Sequence, residues 1–138
     1  MSMIEQLIDI YHREHWHETR MSDEETRYYY ETMLKRGQIL TYVENGEILG
    51  VCEYAKLNLA QLGYVMISDT INPDIHDDNG MVIYITSLYV KPECRGIGMV
   101  SYFKSELEKL HPAVNYFTGE TQGKNRKVWH IYKRSGVR

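Results

Sequence analysis

The chain is 138 residues long with 43% hydrophobic and 25% charged side chains, the proportions of one globular domain with its own core, which excludes a disordered chain and a disulfide-stapled miniprotein. No apolar run nears the roughly 18 residues that span a bilayer, the opening MSMIEQLIDI carries acids rather than a basic leader, and Cys52 and Cys94 are too far apart for a CxxC pair or a zinc knuckle. The net charge of −3 argues against nonspecific nucleic-acid binding, yet the signs separate along the sequence: −3 over residues 1–36, −6 over 37–90 and +6 over 91–138. A soluble, cytoplasmic protein with reduced thiols and no membrane or nucleic-acid partner is expected.

Residues 3–17 place Met3, Leu7, Ile10, Tyr11 and Trp16 at helical spacings, and residues 22–35 open with Ser22 and Asp23 and carry Tyr28, Tyr29 and Met33, so two helices come first. Residues 38–44 and 47–56 are strand-like, and Asn45-Gly46 between them tolerates the positive φ of a tight hairpin. Residues 57–80 are ambiguous: YVMIS has the character of a short strand, while INPDIHDDNG reads as an exposed acidic loop. Residues 81–90, MVIYITSLYV, predict a central strand buried on both faces that stops before Pro92. A helix from about Gly98 follows, with Met99, Val100, Phe103, Leu107 and Leu110 as its apolar stripe and His111-Pro112 as its end. A strand at 114–120 and a last helix at 125–135, with Val128, Ile131 and Tyr132 inward, complete the reading. No repeat or linker interrupts it, so residues 1–138 are read as a single domain.

The richest segment is YVKPECRGIGMVSYFKSEL, where a buried strand runs through Arg95-Gly96-Ile97-Gly98 into a helix. Glycines let the backbone approach a ligand, the first helical N–H groups lack intrahelical partners, and the macrodipole adds about half a positive charge there. A pyrophosphate suits all three features. The spacing is neither GxxxxGK[ST] nor GxGxxG, which weakens nucleotide-triphosphate and dinucleotide readings. A basic last third beside an acidic middle also suits a protein that holds a phosphorylated ligand with one part and meets something cationic with another.

The run resembles motif A of the GNAT superfamily of acyl-CoA-dependent N-acyltransferases, [Q/R]xxGx[G/A], with Arg95 and Gly98 in place and Val100 where Gly or Ala is usual. NRKVWHIYKRSGV is similar to that family's motif B, NxxAxxLYxxxGF, through Asn125, Tyr132 and Gly136, and the hairpin YVENGEILGVCEY with Gly50 resembles the paired strands that precede motif A. The resemblance spans roughly residues 38–136. It implies an α/β fold: a mixed, mostly antiparallel central sheet flanked by helices. Superfamily members usually begin with a strand and end with two more, so this chain looks like a short member lacking the first and last strands. The sheet edges left open would need cover from loops, from the opening helices or from a second subunit. A homodimer is therefore expected, or else a chain that ends early.

The resemblance implies transfer of an acyl group, most often acetyl, from acetyl-CoA to a primary amine in a ternary complex, with no metal. It places the CoA pyrophosphate at Arg95, Gly96, Ile97, Gly98, Met99, Val100 and Ser101, and the pantetheine amides against the backbone of Leu88, Tyr89 and Val90. Asn125 belongs to the same cofactor site, and Lys124, Arg126 and Lys127 either reach the ribose phosphate or form an exposed face. An amine of lysine type has a pKa of about 10.4, so a base must take its proton. Glu53, Asp69 and Glu120 lie in or beside sheet-forming segments, with Glu120 and Glu53 ranked first. Tyr132 is either the general acid that protonates the departing sulfur or a core tyrosine bonded to a backbone carbonyl. Asp69, Asp74, Asp77 and Asp78 would favour a cationic acceptor. The rival reading is a noncatalytic acyl-CoA-binding or regulatory protein with the same fold.

Other conspicuous residues receive no role. His12, Glu14, His15 and His17 in HREHWH do not match HExxH and read as a polar helix face. Cys94 has no histidine partner nearby in sequence. Tyr28-Tyr29-Tyr30 reads as helix packing rather than an aromatic substrate groove.

Overall fold

A computed structural model describes residues 2–14, 21–67, 76–114, 116–123 and 126–133. Two helices open it, α1 (Met3–Glu14) and α2 (Asp23–Lys35). In α1, Leu7, Ile10 and Tyr11 turn inward, and Gln6 binds the distant hairpin with both ends of its amide: Nε2 donates to the Gly46 carbonyl and Oε1 accepts from the Ile48 N–H, each at 2.8 Å. Ser22 and Glu25 form a reciprocal capping box at the start of α2. Those hydrogen bonds, the Ser22 backbone N–H first, hold the Glu25 carboxyl below its ordinary pKa.

The strands β1 (Ile39–Glu44) and β2 (Glu47–Leu57) pair antiparallel across Asn45-Gly46, both at positive φ as the tight turn requires. A bulge at Leu49 shifts the register against β1. Then α3 (Leu59–Ile67) occupies the ambiguous segment, so the short strand read from YVMIS is corrected to a helix. Asn58 and Gln61 explain it, since each side-chain oxygen accepts the other's backbone N–H, at 2.8 and 2.9 Å. The strand β3 (Val82–Val90) pairs antiparallel with β2 and is buried from Val82 to Tyr84; beyond that its residues are partly or largely exposed, which corrects the expectation of burial on both faces throughout. A 3-10 turn at Pro92–Cys94 leads to α4 (Met99–Leu110).

Two further strands, β4 (Tyr116–Gly123) and β5 (Arg126–Lys133), pair antiparallel. The helix read at 125–135 is therefore a strand. Its run Val128-Trp129-His130-Ile131-Tyr132 is β-branched and aromatic, and joining the preceding strand satisfies its backbone groups. The sheet order is β1-β2-β3-β4-β5 with one parallel pair, β3 and β4, which α4 connects. The α/β class and the mixed, mostly antiparallel sheet flanked by helices are as the sequence implies. No helix among the described residues is long and apolar enough to cross a membrane.

The sheet separates the core into layers. Leu7, Ile10, Tyr11, Tyr30 and Met33 of the opening helices pack on Ile39, Ile48 and Val51, whereas Met99, Phe103 and Leu107 of α4 pack on Cys52, Tyr54, Ile83 and Phe117. Gly50 lets α4 come close: a Cβ there would stand 3.2 Å from the Met99 sulfur and from the Phe103 ring. Gly50→Val, which adds two further carbons to that contact, is expected to lower unfolding free energy by roughly 1–3 kcal/mol through overpacking. Urea denaturation measures the loss, and an unchanged midpoint would show that α4 is free to shift.

Candidate active site

The bulge on β3 organises the candidate site. Glu53 pairs with Ser87 but Tyr54 pairs with Ile85, so Thr86 is the extra residue. At the same place β3 parts from β4, because the parallel register runs only from Val82↔Tyr116 to Ile85↔Gly119. From Thr86 to Val90 the strand is paired to β2 on one edge and, among the described residues, has no paired strand on the other. The Thr86 hydroxyl is buried and has no hydrogen-bond partner among the described residues. Leu88, 39% exposed, lies on this stretch.

The strand then enters the glycine loop. Gly96 and Gly98 have φ of +85° and +86°, and a Cβ on either would meet nothing within 4 Å. The glycines are thus demanded by backbone conformation rather than by crowding. Gly98 is the N-cap of α4 and supplies no side-chain hydrogen bond, while the first helical bond runs from the Tyr102 N–H to the Gly98 carbonyl at 3.0 Å. The amides of Met99, Val100 and Ser101 therefore lie ahead of the intrahelical ladder, at the positive end of the dipole. Arg95 Nε donates to the Val90 carbonyl at 3.0 Å, which ties its side chain to the end of β3. Ile97 and Val100 are 69% and 53% exposed, so apolar surface flanks the loop. An open strand edge, an orphaned hydroxyl beside it and an uncapped helix start on the same strand fit a ligand with amides at one end and a pyrophosphate at the other. CoA has that chemistry.

Glu53 is 4% exposed and projects from β2 to the side of the opening helices. Tyr29 Oη of α2 donates to Glu53 Oε1 at 2.6 Å, and Ser87 stands directly opposite Glu53 in the β2–β3 register, with its hydroxyl beside the same carboxyl. Burial pushes the Glu53 pKa up, and these two hydroxyls oppose the shift. Its neighbours respond to the same surroundings: burial, reinforced by the Glu53 charge, raises the Tyr30 phenol and pushes the Cys52 thiol up to about 12, so Cys52 is an inert core thiol.

Of the residues singled out in the sequence, Glu53, Leu88, Tyr89 and Val90 meet around the bulge, and Arg95 through Ser101 form the adjoining loop. Tyr132 is not on a helix: it pairs with Phe117, whose other neighbour is Ile83, so about 10 Å of sheet separates it from β3. Glu120 lies on β4 opposite Trp129. Asn125, Lys124, Asp69, Asp74, His15 and His17 lie outside the described residues. Asp77 and Asp78 are occupied within their loop, by Asn58 and Asn79 and by His76 respectively. His12 pairs with Asp23 at 2.7 Å, and no cluster of metal-ligating side chains occurs among the described residues.

The sequence reading missed Tyr29. Of the three consecutive tyrosines, Tyr30 is core, Tyr28 is exposed and Tyr29 reaches Glu53. Tyr28 and Tyr29 also wall a groove of about 470 Å³ along α2, with Met21 and Met33 beside them and Glu24, Glu25 and Arg36 as its charged lining. Helical spacing alone could not reveal this, because the partner residue is contributed by the sheet.

Comparison with known proteins agrees with this geometry. The fold is similar to the loading GNAT-like domain of CurA from Lyngbya majuscula (TM-score 0.63, 15% identity, covering 88% of this chain and 61% of that one). It is equally similar to the GphF GNAT-like decarboxylase in complex with isobutyryl-CoA (TM-score 0.63, 16% identity, 88% and 63%). A third likeness is to AAC(6')-Iy in complex with the bisubstrate analog CoA-S-monomethyl-acetylneamine (TM-score 0.59, 14% identity, 91% and 78%). The chain spans about three fifths of the length of the first two. No curated protein matches it. The description "Acetyltransferase (GNAT) family" belongs to a family model that matches residues 2–137, nearly the whole sequence. By that match, and with an open β3 edge leading into a glycine-capped helix, the chain belongs to the GNAT acetyltransferase family.

Proposed function

We propose that the protein is an N-acyltransferase that moves an acetyl group from acetyl-CoA directly to a primary amine. The observation that carries this reading is the continuity of two binding elements on one strand: the open edge of β3 from Thr86 to Val90 and the uncapped start of α4. The edge suits the pantetheine amides, with Leu88, Tyr89 and Val90 as backbone partners, and the loop from Arg95 to Ser101 suits the pyrophosphate. Asn125 is assigned to the cofactor site by resemblance alone. The similar structures in complex with isobutyryl-CoA and with a CoA bisubstrate analog support a CoA ligand.

Holding the thioester beside the bulge would bring its carbonyl near Ser87 and Glu53, where positioning contributes much of the rate. Glu53 is the preferred base over Glu120, because burial raises its proton affinity and two hydroxyls fix its orientation. Tyr132 is assigned as acid for the leaving sulfur by resemblance alone, since it stands two strands from β3. The α2 groove, lined by Met21, Tyr28, Tyr29 and Met33 with Glu24, Glu25 and Arg36 among them, favours an amine with an apolar body.

Calorimetric titration with acetyl-CoA, followed by thiol-release assays with phenethylamine, hexylamine and spermidine as acceptors, tests the reading. Micromolar binding and amine-dependent thiol release are expected. Binding without release would favour the noncatalytic reading, and a folded protein that binds no acetyl-CoA would overturn both.

A further inference from the structure

We propose that Ser87 and Tyr29 flank Glu53 as a proton relay, Ser87 receiving the proton from the acceptor amine and passing its own to Glu53, and Tyr29 acting as the positioning residue that holds the carboxylate. This rests on the acyltransfer reading above and adds to it two residues with different tasks.

Accessibility sets the problem. A carboxyl that is 4% exposed, held by Tyr29 and faced by Ser87 across the strand pair, cannot meet an incoming amine itself. Both Tyr29 and Ser87 are partly exposed, Tyr29 in the α2 groove and Ser87 on the stretch of β3 along which the thioester would be held, so Ser87 is the one next to the reacting carbonyl. The bulge at Thr86 brings the pieces together, because it resets the alternation of β3 just before Ser87 and leaves Ser87 opposite Glu53. A hydroxyl there carries one proton and accepts another, so it transfers charge without changing its own state.

The step balances as follows. The amine nitrogen attacks the thioester carbonyl carbon and forms the C–N bond. The nitrogen's proton goes to Ser87 Oγ while the Ser87 proton moves to Glu53, and the C–S bond breaks with the sulfur taking a proton from water. Glu53 then returns its proton to solvent through Ser87. The products are the amide and the free thiol of CoA.

The groups around Glu53 define its titration. From α2 these are Tyr29 and Tyr30, from its own strand Cys52, and from β3 Ser87, with Tyr89 two residues further on holding Arg13 of α1 at 3.3 Å. Tyr11 of α1 stacks edge-on against Tyr30. Tyr29 is the donor at 2.6 Å, so its loss removes stabilisation from the charged carboxylate and raises the pKa of Glu53.

The test uses the full chain with acetyl-CoA and whichever of phenethylamine, hexylamine and spermidine turns over fastest. Ser87→Ala is expected to lower kcat about 100-fold with acetyl-CoA affinity retained, and Ser87→Thr, which keeps the hydroxyl, to restore most of it. Tyr29→Phe is expected to move the acid limb of the kcat profile upward by about one pH unit, with the Glu53 carboxyl followed by carbon NMR moving the same way. A merely structural role for Tyr29 would alter stability without moving that limb. If the wild type turns over and Ser87→Ala keeps its kcat, or the limb stays in place, the relay is wrong and the acyltransferase reading stands. If the wild type binds acetyl-CoA but acetylates no amine, the acyltransferase reading fails and the relay falls with it.

Discussion

Replacing Gly98 by Asp is expected to weaken acetyl-CoA binding by at least about 100-fold while the protein stays folded. Room is not the obstacle, since a Cβ at Gly98 meets nothing within 4 Å. The φ of +86° is a strain that Asp bears better than most residues, of the order of 1–2 kcal/mol. Asp is also a favoured N-cap, so its carboxylate would take the amides at the start of α4 and return part of that cost to the helix. Those amides are the ones a pyrophosphate needs. The substituted carboxylate would occupy them, offset the positive end of the dipole and repel a ligand of the same sign. Titration calorimetry beside a urea unfolding curve reads both effects. Undiminished affinity in a folded variant would move the phosphate site away from this loop.

Glu53→Gln is expected to lower turnover by about 10³-fold, within the range for removing a general base, and to change how stability depends on pH. The amide keeps the size of the carboxyl and an oxygen for Tyr29 but accepts no proton at neutral pH. Because burial raises the folded-state pKa of Glu53, the folded protein prefers the neutral carboxyl. That contribution is complete below the ordinary carboxylate pKa of about 4.3 and is lost as pH rises through the raised value, at about 1.4 kcal/mol for each unit of separation. Wild-type stability should therefore decline across that window, and the variant's should decline less. Urea midpoints measured over the same window decide the matter; equal slopes in the two proteins would mean that Glu53 titrates as an ordinary surface acid.

The parts of this fold written in local chemistry were readable from the sequence. Asn45-Gly46 between apolar runs specified a hairpin, Ser22 with Asp23 specified a helix start, and Arg95-Gly96-Ile97-Gly98 specified a glycine turn from strand to helix. Two segments were misread for distinct reasons. The helix α3 has an uneven apolar pattern, and its real signal was the Asn58 and Gln61 pair. In β5, Val128, Ile131 and Tyr132 recur at a helical interval by coincidence, and the resemblance to motif B reinforced that period over the strong β-propensity of the run. The site was half legible. A lone carboxylate in an apolar strand marked Glu53, but its partners Tyr29 and Ser87 are 24 and 34 positions away in sequence, and only the register and the bulge bring them to it.

The brief pairing of β3 with β4 bears on cohesion as well as on binding. Mechanically the sheet is two antiparallel blocks, β1 to β3 and β4 with β5, joined by a parallel seam four residues long. A ligand lying along Thr86 to Val90 would continue the seam where the protein itself leaves it unstitched. Loading the cosubstrate and fastening the two blocks together would then be the same event, and the protein would be most loosely joined when it has nothing to transfer.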